Sequence, residues 1–369
     1  MCRRGENIYK RKDGRWEGRY FSGRKENGQI KYGYIYGYSY KEVQKKLFSC
    51  KVDYQNRVEE LGEDVTLFKE FVVNWLFIKK KEIKESTYAS YSYKISRYIL
   101  PSLGNYSLNC CTEQKIQNVI IEWQKNALSP STMKVLLRIL NQCLSYAVSQ
   151  GLIKKNACKA VTLPKKDYPR IRSLSVSEQK ALESVAKKDQ SIYGQAIIFS
   201  LRTGLRIGEI SALKWSSVDF NANVIRVEHT LQRIQTKDRY AKTKVSLDIT
   251  KTNASKRVIP MSSQVRTLLL NIKRESVSSF IFTNTSSFCE PRLLTYHFHR
   301  IRKQVNLENI HFHQLRHTFA TRCLEVHSDI TSVSALLGHS STQMTLDVYA
   351  DSFLEQRKKI LRLMEEKIA

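Results

Sequence analysis

The stretch "HFHQLRHTFATR", residues 311–322, carries the strongest indication of which fold and which chemistry the chain has. It places His311, His313 and His317 around Arg316, and seven of the chain's eight histidines fall between positions 297 and 339. Three interpretations compete: a metal site, a solvated basic surface, or a set of hydrogen-bond donors for an anion. The spacing of the residues separates them.

A metal site is the weakest of the three. His313 and His317 stand four residues apart, as two zinc ligands on one helix face would. However, no Glu lies between them as in HExxH, no nearby Asp, Glu or Cys completes a ligand set, and Arg316 would repel a cation. We therefore expect no metal and no cofactor.

The same stretch predicts a helix that binds an anion near its start. An apolar stripe would face the core: Phe312, Leu315, Phe319 and Cys323. His313 and Arg316 project beside that stripe at the N-terminal end, where unpaired N–H groups and the helix dipole favour negative charge. A phosphate group is the anion that such a site suits best.

Three other segments carry residues of the same kind. "RTGLRIGEISALKW" starts a helix at Arg206 with Glu209 one turn later, although such an Arg–Glu pair is more often structural than functional. "DITKTNASKRVIP" puts Lys251 at the turn between two predicted strands. "LLGHSSTQMTLDVYAD" places His339 directly after a Gly C-cap and Tyr349 on the following short helix.

The order and wording of these segments resemble the tyrosine recombinase, or phage integrase, family. "TGLRIGE", "TKTNASKRVIP", "HQLRHTFAT" and "LLGHSS…Y" match its four landmarks across residues 172–350. Each landmark is weak alone, and the ordered set is specific. The resemblance extends to a helical core-site-binding domain and to the small three-stranded arm-binding domain of phage and conjugative-transposon integrases.

The resemblance implies a role for each matching residue. Arg206 and Arg316 would bind the scissile phosphate, and Lys251 would be the general acid toward the leaving 5′ oxygen. His313 matches the histidine of the H-x-x-R box, His339 a position held by His or Trp, and Tyr349 the nucleophile. In a departure from the family pattern, Gln314 stands where Asp is frequent, while His311 and His317 match no catalytic position.

The chemistry explains why these residue types are needed. A phenol with a pKa of about 10 is scarcely ionised at neutral pH, so it needs a proton acceptor, for which His313 is the best candidate. Two guanidinium groups can hold the phosphate oxygens through forked hydrogen bonds, which a lysine cannot reproduce. This positioning supplies the stabilisation that a metal ion gives other phosphoryl-transfer enzymes.

Composition agrees with a DNA-acting protein of several domains. The 369 residues carry 62 Lys and Arg against 34 Asp and Glu, a formal charge of +28, which attracts polyanions such as DNA. The apolar runs are too short to span a membrane, and the start has no secretory apolar region. The eight scattered cysteines contain no CxxC pair and are typical of reduced thiols, so we expect a cytoplasmic protein.

The N-terminal sixty residues predict three strands, near 7–11, 16–22 and 29–37, joined at Asp13-Gly14 and Asn27-Gly28. Ser39 and Glu42 predict a capping box that opens a helix reaching about Glu60. Tyr32, Tyr34 and Tyr36 would share one face of the third strand. That face either packs on the helix or enters a DNA groove.

The rest of the chain predicts two helical regions with a linker between them. Helices are expected near 66–81, 86–99, 112–126 and 131–150, with Thr66, Ser86, Thr112 and Ser129 as caps. "VTLPKKDYPRIRS", residues 161–173, has the composition of an interdomain linker. Beyond it, Ser175 and Glu178 cap a helix to about 187. Strands are predicted near 223–229, 244–250 and 256–260. Further helices are predicted near 262–273, 291–304, 313–327, 330–337 and 343–350.

The predicted fold is a multidomain, mainly α protein with small β-sheets. Its parts are an arm-site DNA-binding domain at 1–60 with a three-stranded sheet plus helix, a helical core-site DNA-binding domain at 64–155, and a mixed α/β catalytic domain with a C-terminal tail helix at 172–369. An apolar stripe in the tail packs either on its own domain or on a neighbouring subunit: Phe353, Ile360, Leu361, Met364 and Ile368.

The predicted function is site-specific DNA recombination through a covalent 3′-phosphotyrosine, which integrates or excises a mobile element. The expected partners are double-stranded DNA attachment sites, three further copies of the chain in a homotetramer on DNA, and an accessory DNA-bending or directionality protein. Two alternatives share parts of this prediction: a type IB topoisomerase, and a DNA-binding regulator without catalysis.

Overall fold

The structure is a computed structural model of the whole chain. It describes residues 7–24, 29–61, 66–164, 172–236, 242–249, 255–326, 329–339 and 341–343, and also residues 346, 361 and 364–366. The chain divides into two compact units, residues 1–168 and 169–369. The boundary between them falls inside the predicted linker, of which residues 165–171 lie outside the described part.

The first unit begins with a three-stranded antiparallel sheet and one helix. Strands β1 (Ile8–Lys10), β2 (Trp16–Arg24) and β3 (Ile30–Gly37) pair in the order β1-β2-β3, and helix α1 covers Tyr40–Leu61. The sheet lies close to α1 because its facing positions are small. A Cβ atom on Gly18 or Gly37 would stand 2.8 Å from the Val43 side chain. Val43 and Leu47 are fully buried there.

The other face of this sheet is open to solvent and rich in tyrosine. Tyr32, Tyr34 and Tyr36 are 40–51% exposed, so of the two alternatives for this face, packing on the helix is wrong. Alternation along β3 turns Gly33, Ile35 and Gly37 toward α1, and this leaves the three tyrosines on the outside. We call the outward residues Tyr9, Arg19, Tyr32, Tyr34 and Tyr36 the tyrosine face.

The remainder of the first unit is a helical body. Its helices are α2 (Phe68–Glu82), α3 (Glu85–Lys94), α4 (Leu100–Leu103), α5 (Glu113–Lys125) and α6 (Pro130–Ser149). A π-helical turn, Ile95–Ile99, joins α3 to α4, and the Tyr98 carbonyl within it accepts a hydrogen bond from Trp123 Nε1 at 3.1 Å. The core is large and apolar, and Trp75, Leu103 and Leu140 are fully buried in it.

The caps of these helices were predicted only in part. Thr112 and Ser129 accept the backbone N–H of the third helical residue as expected. Thr66 and Ser86 are not caps, because α2 follows Leu67 and α3 follows Lys84 without a side-chain cap. At α1 the Ser39 hydroxyl accepts from the Glu42 N–H as expected, while the Glu42 carboxylate accepts from the Tyr38 N–H, one residue earlier than in a regular capping box.

The second unit wraps short strands and helices around one buried helix. The strands are β4 (Val218–Asp219), β5 (Val224–Val227), β6 (His229–Gln235), β7 (Thr243–Ile249) and β8 (Arg257–Pro260). They form an antiparallel sheet ordered β4-β5-β8 and a separate hairpin of β6 and β7. The helices are α7 (Val176–Lys188), α8 (Ile192–Thr203), α9 (Ile207–Ala212), α10 (Ser263–Glu275), α11 (Pro291–Lys303), α12 (His313–Glu325) and α13 (Ile330–Leu337).

Helix α8 is the centre of this unit and was not predicted. It packs against α7, α10, α11 and α12, and it buries residues on nearly every side, including Ala196, Phe199 and Ser200. A helix that is buried all round has no polar face, so its sequence lacks the periodicity that marks a surface helix. Strands β4 and β6 were not predicted either, whereas the capping box of Ser175 and Glu178 on α7 is confirmed.

Two further observations concern the described part of the chain. None of its helices has the length and apolar character needed to cross a membrane. The cysteines that the structure describes are all free thiols.

Candidate active site

Helix α9 begins at a sharp turn that fixes Arg206. Helix α8 is capped by Gly204, which has a left-handed φ of +65°, and a Cβ atom there would stand 2.4 Å from the Phe319 ring. Only glycine fits this close turn. Arg206 then caps α9: its backbone N–H donates to Glu209 Oε2 at 2.9 Å and its Nη1 donates to Glu209 Oε1 at 2.8 Å.

Arg316 lies on the first turns of α12 and is almost completely buried, with 2% of its surface exposed. Its Nη1 donates to the Gly204 carbonyl at 2.9 Å and its Nη2 donates to the Leu337 carbonyl at 2.6 Å. The guanidinium is therefore held between the turn after α8 and the end of α13. Hydrogen bonds to fixed backbone oxygens orient it before any ligand arrives.

Helix α12 is itself fixed by the segment that enters this unit. Gln314 donates to the Arg172 carbonyl at 3.0 Å and accepts the His311 N–H at 2.6 Å. Thr318 accepts the Leu174 N–H at 3.0 Å, and this places a second anchor one turn further along the helix. Gln314, the departure from the family pattern, thus holds the start of α12 in place.

The end of α13 completes the arrangement. Gly338 closes this helix in the left-handed region, with φ +66°, and His339 follows directly. The Gly338 carbonyl accepts from Arg206 Nη2 at 3.2 Å. Arg206 and Arg316 therefore contact adjacent carbonyls of one turn, and His339 lies close enough for both arginines to affect its pKa.

Burial and the two arginines keep the histidines of the site neutral. Burial, and then the charges of Arg316 and Arg206, lowers the pKa of His339 to about 4. The same causes lower the pKa of His313, although part of that residue reaches solvent. A neutral imidazole can accept a proton, which the charged form cannot.

The sequence places His317 either in the packed interior or at the surface, and the structure shows that it is buried and packs against His313. It is 7% exposed and meets the His313 ring edge-on, with 4.7 Å between ring centroids. Burial and then His313 and Arg316 lower its pKa to about 4. His311 is exposed at the surface.

The structure thus brings four of the six predicted site residues together: Arg206, His313, Arg316 and His339. Lys251 and Tyr349 lie outside the described residues, as do Asn27-Gly28 and most of the C-terminal tail. Within the described ranges, no group of three or more His, Cys, Asp or Glu side chains could hold a metal ion.

Sequence reasoning did not find Arg257, which donates to Glu209 from β8. Arg257 and Ile259 alternate toward the interior of an otherwise apolar strand, and this inward-facing charge was the available signal.

In chemical terms, the site offers two fixed guanidinium groups and neutral imidazoles. Such a set suits a tetrahedral oxyanion such as a phosphate.

Comparisons with protein families agree with this chemistry. The sequence model described as "Phage integrase family" matches residues 172–356, and that described as "Phage integrase, N-terminal SAM-like domain" matches residues 67–124. A tyrosine recombinase XerC-like protein of Caldanaerobacter subterraneus is 26% identical, over 93% of this chain and 94% of its own length. The transposase from transposon Tn916 of Enterococcus faecalis is 23% identical, over 86% and 83%.

Solved structures share the fold. The Tn1549 transposon integrase, in complex with a circular intermediate DNA, matches with a TM-score of 0.67 at 20% identity, over 80% of this chain and 99% of that chain. A lambda integrase tetramer bound to a Holliday junction matches with a TM-score of 0.62 at 18% identity, over 92% and 97%. The chain belongs to the phage integrase family and is a tyrosine-type site-specific DNA recombinase.

Proposed function

We propose that the site exchanges DNA strands through a covalent phosphotyrosine. Tyr349 Oη attacks the scissile phosphorus, so that an O–P bond forms as the bond to the 5′ oxygen breaks, and the protein remains attached to the 3′ phosphate. The reverse attack by a 5′ hydroxyl of the partner strand reseals the DNA. The bond energy is conserved, so no high-energy cofactor is needed.

The protons have assigned places in this scheme. His313 accepts the phenolic proton, and Lys251 donates a proton to the leaving 5′ oxygen. Arg206, Arg316 and His339 donate hydrogen bonds to the non-bridging oxygens, where charge gathers in the transition state. The neutral state of His313, which burial and the two arginines maintain, supports its role as proton acceptor.

One observation carries this proposal. Arg206 and Arg316 come from helices separated by about a hundred residues, yet they donate to the adjacent carbonyls of Gly338 and Leu337. Guanidinium groups held at one place repel each other, and Glu209 offsets the charge of Arg206 only in part because it also pairs with Arg257. A shared anionic ligand explains why both are held at one place.

The decisive test is a covalent trap. Full-length Tyr349→Phe should bind a nicked duplex from the end of the mobile element as the wild type does, and yet form no denaturation-resistant protein–DNA adduct, because only the nucleophilic oxygen is lost. Tyr296→Phe is the matched control, since Tyr296 is 64% exposed in the same unit and belongs to no proposed role. An adduct from Tyr349→Phe would refute the assignment.

We further propose that residues 1–60 bind separate arm sites. The tyrosine face supports this: Arg19 lies over the Tyr32 ring at 4.3 Å, and Arg11 lies over the Tyr36 ring at 5.5 Å. Arginine side chains beside an exposed aromatic sheet suit both phosphates and base edges, and a β-sheet fits a DNA groove. Residues 64–155 would bind the core site and residues 172–369 would carry out the reaction.

The assembly is the last part of the proposal. Exchange between two duplexes needs four active sites, so we infer a homotetramer on DNA, together with an accessory protein that bends DNA or sets the direction of the reaction. Leu361 and Met364 in the tail are 54% and 48% exposed, which supports docking of the tail on a neighbouring subunit.

A further inference from the structure

Arg257 is a buried arginine that no role in the reaction has yet explained. It opens strand β8, and its side chain is 5% exposed. Its Nη2 donates to Glu209 Oε2 at 2.9 Å, its Nη1 donates to Glu209 Oε1 at 3.1 Å, and its Nε donates to the Leu336 carbonyl at 2.6 Å. These three hydrogen bonds all go to groups that hold the active site. One further hydrogen bond, from Nη1, goes to the carbonyl of the nearby Ser255.

Glu209 connects Arg257 to Arg206. Oε1 of this carboxylate accepts from the side chains of both arginines, and Oε2 accepts from the Arg206 backbone N–H and from Arg257 Nη2. Burial alone would raise the pKa of Glu209, but the hydrogen bonds and charges of Arg257 and Arg206 outweigh it and lower the pKa. Loss of Arg257 would therefore leave a buried carboxylate with half of its partners.

The last turn of α13 connects Arg257 to the rest of the site. Three successive carbonyls there, those of Leu336, Leu337 and Gly338, accept from Arg257, Arg316 and Arg206 respectively. We call these three residues the carbonyl turn. The last carbonyls of a helix have no partner within the helix, so they are free to accept side-chain donors. Each arginine therefore fixes the same turn that fixes the other two.

We propose that Arg257 is a positioning residue for DNA cleavage, and that it acts by holding Glu209, the carboxylate it shares with Arg206, so that the Arg206 guanidinium meets the scissile phosphate. All three nitrogens of the Arg257 guanidinium donate to protein oxygens, those of Glu209, Leu336 and Ser255, so we assign this arginine no contact with DNA. The inference rests on the proposed role of Arg206.

Two other roles make different predictions. If the role of Arg257 were structural only, it would stabilise the unit, and its loss would affect cleavage to the same extent with or without Arg206. Alternatively, Arg257 could act on Lys251, which precedes it by six residues in the chain. A double-mutant cycle distinguishes the first role from the proposal, and a change of leaving group distinguishes the second.

The experiment uses the full chain on a nicked duplex, with enzyme in excess so that a single round of cleavage is measured. The variants are Arg257→Met, Arg206→Ala and the double variant, and Arg226→Met is the matched control. Arg226 lies on the neighbouring strand β5 and pairs with Asp219 at 3.2 Å on the surface. DNA affinity and thermal unfolding are measured for each variant.

The expected result is non-additive. Arg257→Met should slow cleavage about 10- to 100-fold with unchanged DNA affinity, and Arg206→Ala about 100- to 1,000-fold. The double variant should be within about 3-fold of Arg206→Ala, because a positioning residue has nothing left to position once Arg206 is gone. Arg226→Met should cleave at the wild-type rate.

Several results would overturn the inference. Cleavage by Arg257→Met at the wild-type rate would do so, as would losses that multiply in the double variant. Rescue of Arg257→Met by sulfur in place of the bridging 5′ oxygen would assign its effect to Lys251, because a thiolate leaves without a general acid. Wild-type cleavage by Arg206→Ala would instead refute the proposed role of Arg206. If Arg257→Met does not fold, Arg257→Lys enters the same cycle, because it keeps the charge opposite Glu209 but not the fork.

Discussion

At the scale of single residues, burial and partners separate arginines that look alike in the sequence. Arg316 is 2% exposed and donates to backbone carbonyls. The Arg206 side chain is 34% exposed and pairs with Glu209, which also pairs with Arg257. Both can offer a fixed pair of donors to a phosphate. They differ in what the folded unit loses when each is removed.

We expect this difference to appear in two measurements on alanine variants. Arg206→Ala and Arg316→Ala should each slow single-turnover cleavage by at least about 100-fold while largely keeping DNA affinity, because one oxyanion donor is worth about that much. Arg316→Ala should also lower the melting temperature, since the carbonyls of Gly204 and Leu337 lose a buried donor. Near-normal cleavage by either variant would contradict the prediction and would show that this arginine has a structural role only.

The depressed histidines predict a loss of stability in acid. The pKa of His317 is about 4 in the folded chain and about 6.5 in the unfolded chain, so the unfolded chain takes up the proton first as pH falls. The free energy of unfolding should be highest above pH 6.5 and should fall between pH 6.5 and 4. For His317 the loss is at most about 3 kcal/mol. Urea unfolding at pH 7.5 and 5.0 should show a smaller difference for His317→Gln than for the wild type; an equal difference would contradict the prediction.

The site was predictable in part because its landmarks are local. Each of the four predicted residues that the structure brings together lies in a short segment with its own turn or cap, such as the Gly204 turn before Arg206. Arg257 could not be assigned, because its partner Glu209 is 48 residues away in the chain. Only the folded chain brings Arg257 to Glu209 on α9 and to the Leu336 carbonyl on α13.

At the scale of elements, sequence patterns worked where a helix or strand has one face in water. The sheet, α1, α2, α3, α5 and α6 have such patterns, and their positions were predicted to within a few residues, whereas the four-residue α4 was not predicted. Helix α8 is buried on nearly all sides and gave no pattern. The tyrosine face was ambiguous, because an aromatic strand face is equally suited to a core and to a ligand until the burial is known.

The tyrosine face makes a prediction about salt dependence. If Arg19 contacts a DNA phosphate, Arg19→Ala should weaken binding to arm-site DNA and reduce the slope of log affinity against log salt concentration by about one. Lys46→Ala is the matched control, because Lys46 lies on α1 and pairs with Glu42 at 2.7 Å. An unchanged slope for Arg19→Ala would remove this arginine from the DNA interface. Cleavage of a short core-site duplex should be the same in all three proteins.

At the scale of the whole molecule, the charge and the tail act together. A formal charge of +28 speeds encounter with DNA but makes copies of the chain repel each other. The proposed tetramer therefore needs DNA to screen that repulsion, and it needs specific contacts between subunits as well. Leu361 and Met364 are exposed apolar residues in the part of the tail that the structure describes, so they can provide such contacts.

We therefore expect truncation after Asp351 to reduce tetramer formation on DNA and to change cleavage in the complexes that remain. Burying an aliphatic side chain stabilises an interface by about 1.5–3 kcal/mol, so two or three of them decide whether the assembly holds. Native gels and light scattering of the DNA complexes measure the assembly. If the truncated chain assembles and recombines like the full chain, the tail packs on its own domain or does nothing.

The carbonyl turn gathers positive charge in the second unit. Arg206, Arg257 and Arg316 bring three positive charges to one small region, and Glu209 brings a single negative charge. Backbone carbonyls are dipoles, so they orient these charges without neutralising them. In the proposed reaction the scissile phosphate acts as a further counterion for these arginines, so we expect cognate DNA to raise the unfolding temperature of the second unit. We therefore expect the substrate of this recombinase to stabilise its fold, and the repulsion among the three arginines to be strongest in the free enzyme.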